Sequence, residues 1–169
     1  NEVYLQNPNA GMVSGLVYIE KNGEWAFENL SSQNHVRGPI KSYRKELFQK
    51  MDGLRAVLGW DNIDVMLCKM HGYETITLKD VWVKHLRPTA YKYKSQKAKK
   101  LGEYFYNIGL SFPLAAISSA KSSFKNKSVA EFFTTMKSYF GQQHPSVLTK
   151  EEIAFVRQLR WKEMFNKFK

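Results

Sequence analysis

The pattern of apolar residues changes once along the chain, close to Pro88. Before Pro88, short segments rich in Val, Ile, Thr and Trp alternate with turn residues, which predicts strands joined by tight connections. After Pro88, apolar residues recur only at helical spacing. We therefore predict an α+β fold, in which a partial mixed sheet with flanking helices is followed by an all-helical region. We place the domain boundary between residues 1–89 and residues 90–169.

The charge changes at about the same place. Residues 1–85 carry ten basic and ten acidic side chains, whereas residues 86–169 carry sixteen basic and five acidic ones. The formal net charge of +11 therefore belongs to the second half of the chain. A basic region of this kind suits a polyanion, an anionic membrane surface or an acidic partner, and charge alone does not choose among them.

Several classes of protein are excluded by composition. The single cysteine, Cys68, cannot form an internal disulfide or a cysteine-based zinc site. The longest apolar stretches, such as residues 110–117, are about half as long as a helix that spans a bilayer. A hydrophobic content of 43% with 14% aromatic residues provides enough material for a packed core. The chain is therefore neither a disordered tail nor a disulfide-stapled miniprotein.

The first half has the clearest strand and turn signals. Alternation over residues 12–19 predicts a mostly buried strand, and Asn22-Gly23 predicts a type I′ hairpin turn into a strand over residues 25–29. Residues 35–43 are expected to be extended, because Pro39 disfavours helix before it. A short helix and two further strands are predicted over residues 44–51, 74–78 and 81–86.

Helical spacing predicts the remaining elements. The helix from Asp61 to His71 has one apolar face and is followed by Gly72, a residue typical of a helix C-terminus. Beyond Pro88, one apolar stripe continues to Phe112, where Pro113 is expected to kink or end the helix. The second half is thus predicted to contain three helices, over residues 98–112, 128–140 and 149–168. The last of them begins with a capping box of Thr149 and Glu152.

Asp61 is the first candidate for a chemical role. It lies in the first turn of its helix, directly after Trp60 and three residues before Asp64. The helix dipole and free amide groups keep a carboxylate ionised at this position, and an adjacent indole provides a flat apolar wall. On these residues alone, an N-cap role for Asp61 and a solvated or capping position for Asp64 are the simpler alternatives.

Two further pairs could contact a ligand. His85 and Arg87 are alternate residues at a predicted strand end, so their side chains project to the same face and could hold a metal and a diphosphate. The alternative for His85 is an ordinary side chain, because no second ligand lies at a metal-binding spacing. Arg37-Gly38 would allow a ligand to approach the backbone closely or would form a bulge.

Aromatic and basic residues are interleaved over residues 91–100. This composition suits stacking on bases and pairing with phosphates, although a solvated start of a basic helix explains it equally well. Many aromatic residues and few acidic ones follow, which favours helices at an anionic lipid surface. We therefore expect an anionic membrane surface, and not nucleic acid, as the partner of this region.

Five segments, taken in order, resemble the acceptor-side, C-terminal half of a bacterial glycosyltransferase of family 2. The segments are VRGPIKSYRK at residues 36–45, MDGL at 51–54, LGWDNID at 58–64, GYE at 72–74 and VKHLRPT at 83–89. The resemblance covers about residues 5–140 and is strongest between residues 36 and 89. Five ordered segments at compatible spacing are far more specific than any one of them.

The resemblance implies a GT-A fold and an inverting transfer of a sugar from a nucleotide-sugar donor to a saccharide or lipid-linked acceptor, in the synthesis of cell-surface polysaccharide. Trp60-Asp61 falls on the acidic pair that opens a helix in this family, so Asp61 would be the general base. His85 falls on a histidine that completes the metal site in some related enzymes. The residues that we predict to bind substrate are Trp60, Arg37, Gly38, Asp64 and Arg87.

The sequence departs from the family in having no Asp-x-Asp motif and no nucleotide-binding half before Asn1. The resemblance therefore implies a fragment of a longer enzyme, inactive alone, that needs a divalent cation, Mg²⁺ or Mn²⁺, only together with the missing half. Its expected location is the cytoplasm, peripheral at the inner face of the membrane. The alternative is a non-catalytic module that binds a membrane surface or a polyanion.

Overall fold

A computed structural model describes residues 2–29, 32–86 and 96–166 of the chain. These residues form four strands and seven helices, which confirms the predicted α+β class. The chain divides into two compact units. The first contains residues 1–54 and 61–92, and the second contains residues 55–60 and 93–169.

The first unit is built on a mixed sheet with β1 (Ala10–Lys21) at its centre. β4 (Glu74–Lys84) runs parallel to β1 along one edge, with two register shifts. β2 (Glu24–Phe27) and β3 (Lys41–Tyr43) pair with the opposite edge of β1, both antiparallel and at its two ends. The strands predicted over residues 74–78 and 81–86 are thus one continuous strand.

The connection between β1 and β2 is the predicted type I′ turn. Asn22 and Gly23 have positive φ angles of 53° and 83°, and Lys21 pairs with Glu24 across the turn. The expected extended conformation before β3 is wrong, because the chain turns there and the amide of Ile40 donates to the carbonyl of Arg37 at 3.3 Å.

Three helices accompany this sheet: α1 (Glu2–Gln6), α2 (Lys45–Lys50) and α3 (Trp60–Met70). α3 buries the apolar side chains that recur at helical spacing, which include Ile63, Met66 and Leu67. It ends at Met70, one residue before the predicted end, and the predicted glycine, Gly72, follows with a φ angle of 76°. These features confirm the predicted helix and its C-terminal glycine.

The second unit contains α4 (Lys97–Asn107), α5 (Phe112–Lys125), α6 (Val129–Phe140) and α7 (Lys150–Phe165). The predicted capping box at the start of α7 is present. The helix predicted to reach Phe112 ends earlier, near Gly109, which has a φ angle of 74°. Pro113 instead lies in the first turn of α5, where its missing amide leaves no helical hydrogen bond unmade.

α4 and α6 pack closely at Gly102. A side-chain carbon added there would lie 2.2 Å from the carbonyl oxygen of Thr135, so only glycine permits this approach. The hydroxyl of Ser138 donates to the carbonyl of Lys99 at 2.7 Å and fixes the same contact. The side of α6 that carries Thr135 and Ser138 is therefore the side that faces α4.

Candidate functional site

Asp61 lies in the first turn of α3 and is partly exposed. Among the described residues, its carboxylate accepts no hydrogen bond and forms no ion pair. Its backbone carbonyl, in contrast, accepts a hydrogen bond from Nζ of Lys41 at 3.1 Å. Asp61 therefore does not cap its own helix, and its carboxylate is available to an external partner.

Asp64, one turn later, is in a different environment. It is 2% exposed, and both of its carboxylate oxygens lie 3.1 Å from Nζ of Lys41. The hydroxyl of Tyr43 donates to the same carboxylate. Asp64 is therefore not solvated, which was the simpler alternative for this residue, because α3 turns this position towards β3, where Lys41 and Tyr43 point to the same side.

The polar environment of Asp64 opposes the effect of its burial. Burial raises the pKa of the Asp64 carboxyl above its ordinary value, whereas the Lys41 ammonium and the Tyr43 hydroxyl favour the ionised form. Burial and the adjacent Asp64 carboxylate raise the pKa of the Tyr43 hydroxyl. The three side chains therefore form one buried ionic cluster, from which Lys41 also reaches the carbonyl of Asp61.

His35 lies near this cluster and is half-buried. Burial lowers the pKa of its imidazole below the ordinary 6.5, and the Lys41 cation lowers it further. The Asp61 carboxylate has the opposite effect, and Arg37 and Lys69 lower the pKa slightly more. The folded chain therefore keeps His35 neutral at a pH where the unfolded chain protonates it.

We expect this difference to appear in the pH dependence of stability. As the pH falls through 6.5, His35 binds a proton in the unfolded state but stays neutral in the folded state. The free energy of unfolding should therefore decrease. Urea unfolding from about pH 7.5 to 5.5 measures this slope. The His35→Gln variant should have a flatter profile than the parent chain. An unchanged slope in His35→Gln would contradict this assignment.

A second cluster joins the buried pair Glu28 and Arg37 to His85, whose side chain is 31% exposed. Nη2 of Arg37 donates to Oε2 of Glu28 at 2.6 Å, and these two residues are 8% and 3% exposed. Nδ1 of His85 lies 3.7 Å from the same oxygen and has no hydrogen-bond partner among the described residues. The imidazole is thus placed beside a carboxylate without bonding to it.

These residues alone do not fit a divalent cation. The buried Nδ1 of His85 has the chemistry of a metal ligand, and Glu28 could supply a second ligand. Within residues 2–29, 32–86 and 96–166, however, no group of three or more His, Cys, Asp or Glu side chains could hold a metal ion. Further ligands would have to come from elsewhere.

Gly38 borders a cavity of about 400 Å³ in the first unit. Gly15 and Val81 form another part of its wall, where a side-chain carbon added to Gly15 would lie 2.5 Å from the carbonyl oxygen of Val81. Lys41 lines the same cavity and links it to the first turn of α3 through the Asp61 carbonyl. The structure therefore connects two of the candidate positions, Gly38 and Asp61, through one lysine.

The remaining predicted site residues are Trp60 and Arg87. Trp60 is half-buried at the start of α3, and its amide donates to the carbonyl of Val57 at 3.2 Å. Arg87 lies outside the described residues. Sequence reasoning missed Glu28 and Lys41. The alternation of β3 could have identified Lys41 as facing the same side as Tyr43, whereas no local pattern marks Glu28.

No protein-family model matches the chain, and no curated protein matches it. Among solved structures, the chain is similar to the mannosyltransferase PcManGT from Pyrobaculum calidifontis, in complex with GDP-Man and Mn²⁺, at 14% sequence identity and a TM-score of 0.40. The similarity covers 96% of this chain and 44% of that protein, so the chain spans less than half of its length. At this level of similarity, function has to be argued from the chain's own residues.

Proposed function

We propose that this chain forms the acceptor side of a glycosyltransferase. The enzyme would transfer a sugar from a nucleotide-sugar donor to a saccharide or lipid-linked acceptor by inverting displacement, in the synthesis of cell-surface polysaccharide at the cytoplasmic face of the membrane. The sequence resemblance over residues 36–89 supports the proposal. The structural observation that carries it is the Asp61 carboxylate, which is partly exposed and unpaired among the described residues.

An unpaired carboxylate in this position suits a general base. In an inverting transfer, the acceptor hydroxyl attacks the anomeric carbon while the bond to the departing diphosphate breaks on the opposite side. The hydroxyl proton passes to Asp61. A carboxylate is basic enough, because the hydroxyl becomes acidic as its oxygen bonds to the oxocarbenium-like carbon. Asp61 accepts no hydrogen bond from the described residues, so its carboxylate oxygens are open to the acceptor hydroxyl.

The buried candidates have supporting roles in this proposal. Arg37 and Asp64 were expected to contact substrate, but they are 8% and 2% exposed and bond to Glu28 and Lys41. We assign Asp64 the role of holding Lys41, which in turn binds the carbonyl of Asp61. Trp60 is proposed as the platform for the acceptor sugar, and the backbone at Gly38 as a wall of the substrate cleft.

His85 and Arg87 are proposed to face the leaving diphosphate. A divalent cation, Mg²⁺ or Mn²⁺, would stabilise the negative charge on that group. Because the described residues do not form a cation site alone, the cation belongs to this proposal only together with a nucleotide-binding half, and no step is assigned to it.

The reaction can be tested in the full-length protein, that is, this chain together with the proposed nucleotide-binding half. Nucleotide sugars are supplied singly with saccharide and lipid-linked acceptors, and release of the nucleoside diphosphate is measured. NMR spectroscopy then gives the anomeric configuration of the product. We expect one donor to be consumed only in the presence of an acceptor, with inversion at the anomeric carbon. Retention of configuration, or no release with any donor, would refute the proposal.

A further inference from the structure

α6 exposes a row of large apolar side chains along one side. Val129, Phe133 and Phe140 are 73%, 65% and 65% exposed, although side chains of this kind are usually buried in a core. They occupy positions i, i+4 and i+11 and therefore share one side of the helix. This side is separate from the one that carries Thr135 and Ser138 and packs on α4.

The row extends onto α5. The ring of Phe112, which is 56% exposed, lies 5.7 Å from the ring of Phe140. At the other end of α5, Phe124 is 89% exposed, the largest exposure among the apolar residues of this region. We call the exposed side of α6 together with Phe112 the aromatic face; it consists of Phe112, Val129, Phe133 and Phe140.

The charges around this face are mostly positive. Residues 112–141 contain four lysines and one acidic residue, Glu131. The carboxylate of Glu131 accepts a hydrogen bond from Nδ2 of Asn126 at 2.7 Å. Within residues 96–166, no carboxylate forms an ion pair with any of the lysines, which are Lys121, Lys125, Lys127 and Lys137.

We propose that the aromatic face docks on the surface of an anionic lipid bilayer. The phenylalanine side chains would enter the boundary between headgroups and acyl chains, and the lysines would contact the lipid phosphates. None of the described helices is long and apolar enough to cross a membrane. The proposed docking is independent of the transfer reaction, since the aromatic face shares no residue with the candidate site.

Charge and shape favour a bilayer over other partners. A second copy of the chain would present the same lysines, and like charges oppose that contact. A nucleic acid requires several cations along the continuous path of its phosphates. The exposed side of α6 is about 17 Å long, and Lys137 is the one cation among its apolar residues. A bilayer accepts a line of Phe side chains with cations at its borders.

Vesicle sedimentation of the 169-residue chain tests the proposal. We expect the chain to bind vesicles that contain phosphatidylglycerol at least about tenfold more tightly than pure phosphatidylcholine vesicles, and to lose affinity as salt is added. Phe133→Ser should reduce the affinity by about tenfold, because it removes one inserted aromatic ring. Phe165→Ser, which alters a residue of α7 with a similar exposure of 62%, should change it little.

Both substitutions are at exposed positions, so circular dichroism should show the same helix content as in the parent chain. The Asp61→Asn variant should bind vesicles normally, which separates this proposal from the proposed reaction. Equal affinity for neutral and anionic vesicles would overturn the proposal, as would equal losses in Phe133→Ser and Phe165→Ser. Tighter binding of a single-stranded oligonucleotide than of vesicles would also overturn the proposal, if Phe133→Ser weakens the oligonucleotide binding. A dimer that Phe133→Ser dissociates, without vesicle binding, would identify a second copy as the partner instead.

Discussion

Replacing Asp61 by asparagine is expected to lower the rate of sugar transfer by about two to four orders of magnitude, the usual contribution of a general base. The amide has nearly the same shape as the carboxylate but cannot accept the proton of the acceptor hydroxyl. The measurement is the turnover number of the full-length protein at saturating donor and acceptor. Donor binding should be unchanged, because the base acts on the acceptor and not on the nucleotide.

The same substitution should leave the fold almost unchanged. The Asp61 carboxylate has no hydrogen-bond or ion-pair partner among the described residues, so asparagine removes its interaction with the helix dipole, a loss of about 1 kcal/mol or less, and its electrostatic effect on His35. Asp80→Asn is a matched control, since Asp80 is an exposed carboxylate on β4 of the same unit. It should retain full turnover. Near-normal turnover in Asp61→Asn would remove Asp61 from the mechanism.

The elements that the sequence predicts correctly are those whose stabilising partners lie a few residues apart. Asn22-Gly23 specifies its own turn, and Thr149 and Glu152 bond to each other's backbone at the start of α7. Gly72 ends α3 by its own φ angle. In each case the interaction is complete within one turn of chain, so a local pattern is sufficient to identify it.

The candidate site depends on contacts that no local pattern encodes. Lys41 and Asp64 are 23 residues apart, and their ion pair exists only because α3 packs against β3. Helical spacing shows that Asp61 and Asp64 lie on neighbouring parts of one helix, but it does not show which of them meets the sheet. Asp61 lies in the first turn of α3, as predicted, whereas Asp64 is the residue that meets the sheet and is 2% exposed.

The early end of α4 shows a similar limit. The apolar stripe continues through Ile108 to Phe112, so the spacing alone predicts a longer helix. Gly109 interrupts it, because its positive φ angle is compatible with a helix end and not with a helix interior. The pattern predicts that Pro113 kinks or ends the preceding helix, whereas Pro113 lies in the first turn of α5. A proline in a helical pattern fits both roles, and only the preceding glycine distinguishes them.

Replacing Lys41 by methionine is expected to lower the free energy of unfolding by about 3–5 kcal/mol, the usual cost of removing one partner from a buried ion pair. The side chains of Lys41 and Asp64 are 2% and 3% exposed, so water cannot replace the lost ammonium. Urea unfolding at neutral pH measures the loss. Lys45→Met, at an exposed position in α2 of the same unit, should change the stability by less than about 0.5 kcal/mol.

The pH dependence of this loss identifies its cause. Burial already raises the pKa of Asp64, and removing the Lys41 cation takes away the main interaction that opposes this rise. Asp64 in the variant should therefore take up a proton more readily as the pH falls, and protonation removes the unpaired charge. The difference in stability between Lys41→Met and the parent chain should become smaller towards low pH. A constant difference would indicate lost packing and not a stranded carboxylate.

A double variant separates the stability of the cluster from its proposed role beside Asp61. Lys41→Met combined with Asp64→Leu replaces both charges with apolar groups, which typically restores most of the stability lost by breaking one side of a buried pair. It does not restore the hydrogen bond from Nζ of Lys41 to the carbonyl of Asp61. If this bond orients the first turn of α3 for catalysis, the double variant should be stable but still transfer sugar slowly. Normal turnover in a stable double variant would show that Asp61 is positioned without Lys41.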